Sequence, residues 1–258
     1  MPERGAQLCW LGQSSFELRF PGAALLVDPF LSPHPDRLVP PPERAFSDVD
    51  GVLITHEHWD HLDVEACREL AAASPSASFV VPEPIVDQLG IADERITGLE
   101  PGGSLAVGEA TVHAVPACHA LHVEDGYSVD PRFLGYVVEG GGTRVYHAGD
   151  TIGFDGLVER LRDLQVEIAL LPINGRRPER EAQDIVGNLE PEDAVELAAV
   201  AGARVAVPMH HDMFAANLGD PGRFAGHAAI AHPELAVLLP ARFKPFRLMP
   251  DNEVSGLG

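Results

Sequence analysis

Lysine is almost missing: Lys244 is the only one in 258 residues, and 18 basic side chains face 39 acidic ones for a formal net charge of −21. So acidic a chain repels nucleic-acid phosphates, whose non-specific capture needs clustered cations. It also has no basic amphipathic helix to offer an anionic membrane. Neither nucleic acid nor membrane is expected as a partner; a small-molecule substrate is, and a homo-oligomer is compatible. Long apolar runs are absent too, with none near the roughly 20 residues that span a bilayer. Met1-Pro2-Glu3-Arg4-Gly5 lacks the basic start and apolar stretch of a secretory signal. Cysteine is scarce. Cys9, Cys67 and Cys118 are too few and too scattered for a disulfide framework or a thiolate metal site. They read as small buried hydrophobes, and the expected compartment is cytoplasmic. The length suits one large α/β domain over 1–258, with ample chain for a core.

Histidine is present, and it is placed unevenly. Three of the 12 histidines fall in Thr55-His56-Glu57-His58-Trp59-Asp60-His61. The apolar run ending at Ile54 reads as a buried strand. Leu62, Ala66 and Leu70, four apart, read as the buried stripe of a helix over Asp63 to Ala73. Imidazole and carboxylate at this density are costly to bury unpartnered, and a divalent cation is their ordinary partner. His56 and His58 can face one side of an extended segment, while Asp60 and His61 follow a turn and can face a second ion. The zinc-peptidase spacing, two histidines four apart on a helix with a glutamate between, does not fit.

The rest of the chain supplies further candidates at strand exits. Residues 7–20 alternate as a hairpin turning near Gly12, and Ala24 to Phe30 is a buried strand with Asp28 at its end. Residues 32–47 carry Pro33, Pro35, Pro40, Pro41 and Pro42 and read as a surface loop. Ser78 to Val81 reads as a parallel strand and Ile85 to Leu89 as a short helix ended by Gly90. Hairpins follow around Gly108-Glu109 and Gly140-Gly141-Gly142. Helices are expected at Leu157 to Leu164 and Pro191 to Val200, each followed by a strand, at Val166 to Ile173 and Arg204 to Met209. Coordinating side chains therefore sit at four exits: the His56–His61 loop, His119, Asp150, and His210 or His211. Neighbours on a strand exit point oppositely, so only one of His210 and His211 can readily face an ion. Asp212 is placed to orient a histidine. His113 and His147 read as core or rim, and His34, His227 and His232 as exposed loop residues.

The pattern His-x-His-x-Asp-His resembles the signature of the metallo-β-lactamase superfamily. His119, Asp150 within Gly149-Asp150-Thr151, and a late histidine follow in that superfamily's order. The resemblance covers about residues 7 to 248 and implies an α/β fold, a four-layer αββα sandwich. It also implies two divalent metal ions, zinc or manganese first and iron as a further option. Residue by residue, it puts His56, His58 and His119 on the first ion. It puts Asp60, His61 and His210 on the second, with Asp150 bridging. A hydroxide held between the ions would be the nucleophile, oriented by Asp60. Asp60, Asp150 and His211 are the expected catalytic groups, with His211 on the substrate side or in a packing role. Asn174, Arg176 and His122 are expected at the substrate.

Within the superfamily, Pro208 to Phe214, Phe243 to Phe246 and Leu171 to Arg176 are similar to the L-ascorbate-6-phosphate lactonase branch. That implies hydrolysis of a lactone or related ester on a small anionic, sugar-phosphate-like substrate. A phosphodiesterase on a small nucleotide or phospholipid and an inactive metal-binding scaffold are the alternatives. True β-lactamases with two metals often have cysteine where Asp150 stands. Di-iron flavoproteins of this fold usually have glutamate at His58.

Overall fold

The computed structural model describes residues 4–43, 45–91, 93–122, 126–182, 187–249 and 254–255. Two sheets face each other. The first opens with a hairpin, β1 (Ala6–Gly12) and β2 (Ser15–Phe20), and continues through β3 (Ala23–Val27) to the short β4 (Gly51–Leu53). Helix α1 (Val64–Ala73) then leads to β5 (Ser78–Pro82) and β6 (Ile96–Leu99). The second sheet begins with β7 (Ser104–Val107) and β8 (Ala110–Pro116). A separate two-stranded hairpin follows, β9 (Ala120–His122) with β10 (Gly126–Ser128). The chain re-enters the second sheet with β11 (Leu134–Gly140) and β12 (Thr143–His147). After α2 (Leu157–Asp163) come β13 (Ile168–Pro172), the single-turn α3 (Pro178–Glu181), α4 (Pro191–Ala201) and β14 (Val205–Met209). The chain closes with α5 (Pro221–Ala231), β15 (Ala236–Val237), β16 (Pro245–Leu248) and β17 (Val254–Ser255).

Each sheet is antiparallel on one side and parallel on the other. The first has eight strands in the order β17-β16-β1-β2-β3-β4-β5-β6, the second seven in the order β15-β14-β13-β12-β11-β8-β7. Pairing is parallel from β3 to β6 and from β12 to β15. Layering follows from strand alternation. Leu25, Val27, Leu53 and Val80 join the core between the sheets, together with Val112, Tyr136 and Val138 of the second sheet. Their neighbours Leu26, Val52, Ile54, Phe79 and Val81 point the other way, onto Cys67 and Leu70 of α1. On the far side, Leu157, Leu161, Val195 and Ala198 of α2 and α4 cover the second sheet. The result is the expected α/β sandwich with helices outside both sheets.

Helix ends follow local chemistry. Asp63 caps α1 by accepting from Ala66 N, and the same carboxylate accepts from Leu31 N, Ser32 N and the Ser32 hydroxyl. One residue thus ties the proline-rich loop to the helix behind the metal-loop candidates. Gly202 ends α4 at φ 87°, a conformation glycine reaches without a Cβ penalty. Some expectations shift. The short helix expected at Ile85 to Leu89 is a 3₁₀ helix that begins two residues earlier and runs over Glu83–Gln88, with Pro84 at its start. His227 lies in α5 and not in a loop; with His232 it contacts Glu196. Cys9, Cys67 and Cys118 are buried. No helix among the described residues is long and apolar enough to cross a membrane.

Candidate metal centre

Asp28, left at φ 44° where β3 stops, reaches under the loop that follows β4. Its carboxylate accepts from Thr55 N at 2.8 Å and Thr55 Oγ1 at 2.7 Å, and pairs with His61 Nδ1 at 2.7 Å. His58 O accepts from His61 N and Leu62 N, closing a turn that separates the first two histidines of the loop from Asp60 and His61. His119 follows β8, Asp150 follows β12 and His210 follows β14. All seven expected ligands converge. One atom from each lies within 4.8 Å of the others in two groups, His56, His58, His119 and Asp150 in one and Asp60, His61 and His210 in the other. Asp150 also touches the second group, at 3.4 Å from His61 Nε2 and 3.3 Å from His210 Nε2, and lies 3.4 Å from His119 Nε2.

This donor set fits divalent cations. All the ligands except the partly exposed His58 are buried. His61 Nε2 and Asp150 Oδ1 are buried without a hydrogen-bond partner, a condition that costs about 1–3 kcal/mol per group unless something satisfies it. Imidazoles with ionised carboxylates suit zinc, manganese or iron. The titration behaviour divides the same way as the geometry. Burial pushes His56 well below the ordinary 6.5, lowers His58, and takes His119 to about 4. In the second group burial is outweighed. Asp150, Asp28 and Asp60 raise His61 well above 6.5, and Asp150 with Asp60 raises His210 to about 9. Burial would likewise raise the two aspartates, but His61 and His210 hold Asp60 far below the carboxylate range. His210, His61 and His119 do the same for Asp150.

The other expected site residues scatter. Asn174 is buried on the wall of the cavity above the ligands, a space of about 300 Å³ that Trp59, Phe214, Ala216 and Asn217 also line. Its amide donates to Asn217 Oδ1 and accepts from Asn188 Nδ2. Arg176 does not line that cavity. Its guanidinium donates to Glu181 Oε1 at 2.9 Å and lies 4.2 Å over the Tyr127 ring. His211 packs on Trp10, ring centroids 5.1 Å apart, and is likewise absent from the cavity wall. His210 lies just past β14 at φ 56°, so a backbone turn rather than strand alternation separates the directions of the two histidines. Among the described residues Asp212 makes no hydrogen bond to a histidine; it accepts from Gln13 N and Arg242 Nη1. The His122 side chain lies outside the described ones. His147 is buried against Ser14 O.

Gln13 was not a candidate from sequence. It sits in the β1–β2 turn at φ 51°, and its Nε2 donates to Asp60 Oδ2 at 2.8 Å and lies 3.1 Å from His210 Nε2. Its carbonyl accepts from His210 N and Trp10 Nε1. Nothing in the local sequence marks an amide whose partners lie 47 and 197 residues away. Asp28 carried a fainter signal, as an aspartate at a strand end beside the motif.

The comparisons agree with this architecture. Residues 24–211 match the family model described as beta-lactamase superfamily domain. A UPF0173 metal-dependent hydrolase from Methanopyrus kandleri is 36% identical over 223 residues, covering 84% of this chain and 89% of the relative. One from Rubrobacter xylanophilus is 34% identical over 242 residues, covering 90% and 93%. A metallo hydrolase structure from Ignicoccus hospitalis shares the fold, with a TM-score of 0.70 and 24% identity over 94% of this chain and 98% of that one. With its paired histidine–aspartate groups at the strand ends of two packed sheets, this chain belongs to the UPF0173 metal-dependent hydrolase family of the metallo-β-lactamase superfamily.

Proposed function

We propose that the protein hydrolyses a lactone or a related ester of a small molecule. The observation that carries this reading is the position of Asp150, in contact with ligands of both groups at the floor of an open cavity. When bound, two cations would supply Lewis acidity and a water made acidic enough to ionise near neutral pH. The protein's own part is positioning and charge. Asp60 and Asp150 stay ionised, and the Gln13 amide fixes Asp60 through Oδ2. Asn174 and Asn217, joined to each other on the wall, are placed to orient a polar group of the substrate. Asn217 Nδ2 also lies 3.3 Å from His210 Nδ1 and so links that wall to the ligands.

The anionic, sugar-phosphate-like substrate implied by the lactonase resemblance finds little support. Neither arginine nor lysine is among the described residues lining the metal cavity, and Arg176 is held by Glu181. An uncharged ester or lactone suits these walls better than a phosphodiester, which would add negative charge to a chain of net charge −21. Assaying the metal-loaded protein on matched lactone, ester and phosphodiester panels tests the reading. Lactone or ester turnover is expected. Phosphodiester cleavage without either would overturn it, and stoichiometric metal binding with no turnover on any panel would favour a scaffold.

A further inference from the structure

We propose that the metal cavity continues into an aromatic cleft that receives a flat apolar group of the substrate, an aryl ring or its equivalent. This narrows the ester or lactone reading and rests on it. Trp59 stands between two ligands in sequence, yet its side chain is 51% exposed, whereas Trp10, the other tryptophan, is 4% exposed. Together with Phe214 and Ala216, Trp59 lines both the metal cavity and an adjoining one of about 520 Å³ that also touches Leu38. Three shared wall residues set the two spaces side by side.

The exposed indole is held in place. His34 stacks on it at 4.5 Å with the planes 19° apart, and Phe214 and Phe30 meet it edge-on at 4.9 and 5.6 Å. Phe30, Val39, Met213 and Phe214 form a small core of their own, and Leu38 N donates to Met213 O at 2.8 Å. The loops after β3 and β14 are thereby locked together behind the indole. A rigid aromatic wall open to solvent next to a reactive centre is the arrangement that binds a planar ring, because little ordering remains to be done on binding. Asp36 and Arg37 also line the adjoining cavity, and Arg37 donates to the carbonyls of Phe30, Ser32 and Val39 and lies 4.7 Å over the Phe30 ring. A neutral ring enters this acidic molecule without the penalty an anion would meet.

The test is a titration of the metal-loaded protein, followed by isothermal calorimetry, with 3-phenylpropionate and with propionate. The phenyl acid is expected to bind about tenfold more tightly, the scale of aromatic pairing beyond simple burial. In Trp59→Ala the preference should fall to about twofold or less. Ala216→Phe adds bulk at an exposed position without removing a contact, and should weaken the phenyl acid more than propionate. That variant keeps the test alive if Trp59→Ala loses metal. Equal binding of the two acids overturns the cleft, as does a phenyl preference that survives in both variants, or tighter binding of octanoate than of the phenyl acid. The matching kinetic readout is the kcat/KM ratio of dihydrocoumarin to δ-valerolactone, which should fall in both variants towards the part set by the better phenolate leaving group alone. If neither lactone is hydrolysed, the functional reading fails while the titration still decides the cleft.

Discussion

The two halves of the metal centre are built from the same side chains and treat protons in opposite ways. His56, His58 and His119 have no carboxylate but Asp150 in their group, and burial keeps them neutral at pH 7. His61 and His210 are at least as deeply buried, yet Asp150, Asp28 and Asp60 raise His61, and Asp150 with Asp60 raises His210, above 6.5. Burial therefore does not decide the charge of a histidine here; the number of aspartates facing it does. The first half is ready to accept a cation at neutral pH, whereas the second must release protons to do so.

Breaking the bridge should have the largest effect. Asp150→Ala removes the carboxylate that lies against histidines of both halves, so metal content should fall from two ions to at most one per chain by elemental analysis. Activity should drop by more than the ~100-fold that losing an outer partner typically costs. Asp28→Asn is the sharper test of the difference between the halves. It keeps shape but removes the charge behind His61 Nδ1, so the second half should lose about 10- to 100-fold in metal affinity while the first is spared, as read by competition with a chelator. Gln13→Leu leaves Asp60 Oδ2 without its donor, and about a tenfold loss confined to the second half is expected. Equal losses at both halves would contradict a positioning role for Gln13.

The smallest expected effect is in pH. Raised groups stabilise the fold fully below their unfolded value and lose that contribution as pH climbs through the folded one, so His210 stops helping between 6.5 and about 9. Lowered histidines act the other way. They impose no penalty above 6.5, and the fold weakens as pH falls from there towards about 4 for His119. The metal-free protein should therefore melt highest near pH 6.5 and lose a few °C on either side, about 2–4 °C per kcal/mol for a chain of this class. Metal should remove most of the alkaline loss, because a cation takes the place of the proton on His210. A flat metal-free profile by calorimetry would show that the aspartates do not set the charge of the second half.

Much of this was legible in the chain because the relevant signals are local. The His56–His61 loop follows an apolar strand, and the Gly108-Glu109 and Gly140-Gly141-Gly142 turns mark their hairpins. Residue types at strand exits picked out the ligands before any distance was known. What escaped is non-local or weakly patterned. β16 joins the first sheet beside β1, pairing Leu248 with Ala6 across nearly the whole chain, and its four residues begin with a proline. α5 had a usable start in Asp220-Pro221, but its small residues dilute the apolar stripe. β6, with Gly98 inside it, carries too little side chain to read as a strand. At the site, Arg176 was read from its position past β13, and its pairing with Glu181 is a fact of tertiary packing. Gln13 and Trp59 are named by geometry alone.

Anomalous scattering from crystals of the metal-loaded protein tests the central claim most directly. Two peaks are predicted, one at bonding distance from His56, His58 and His119, the other from Asp60, His61 and His210, with Asp150 next to both. A single peak, or a pair in which either ion lies away from Asp150, would contradict it.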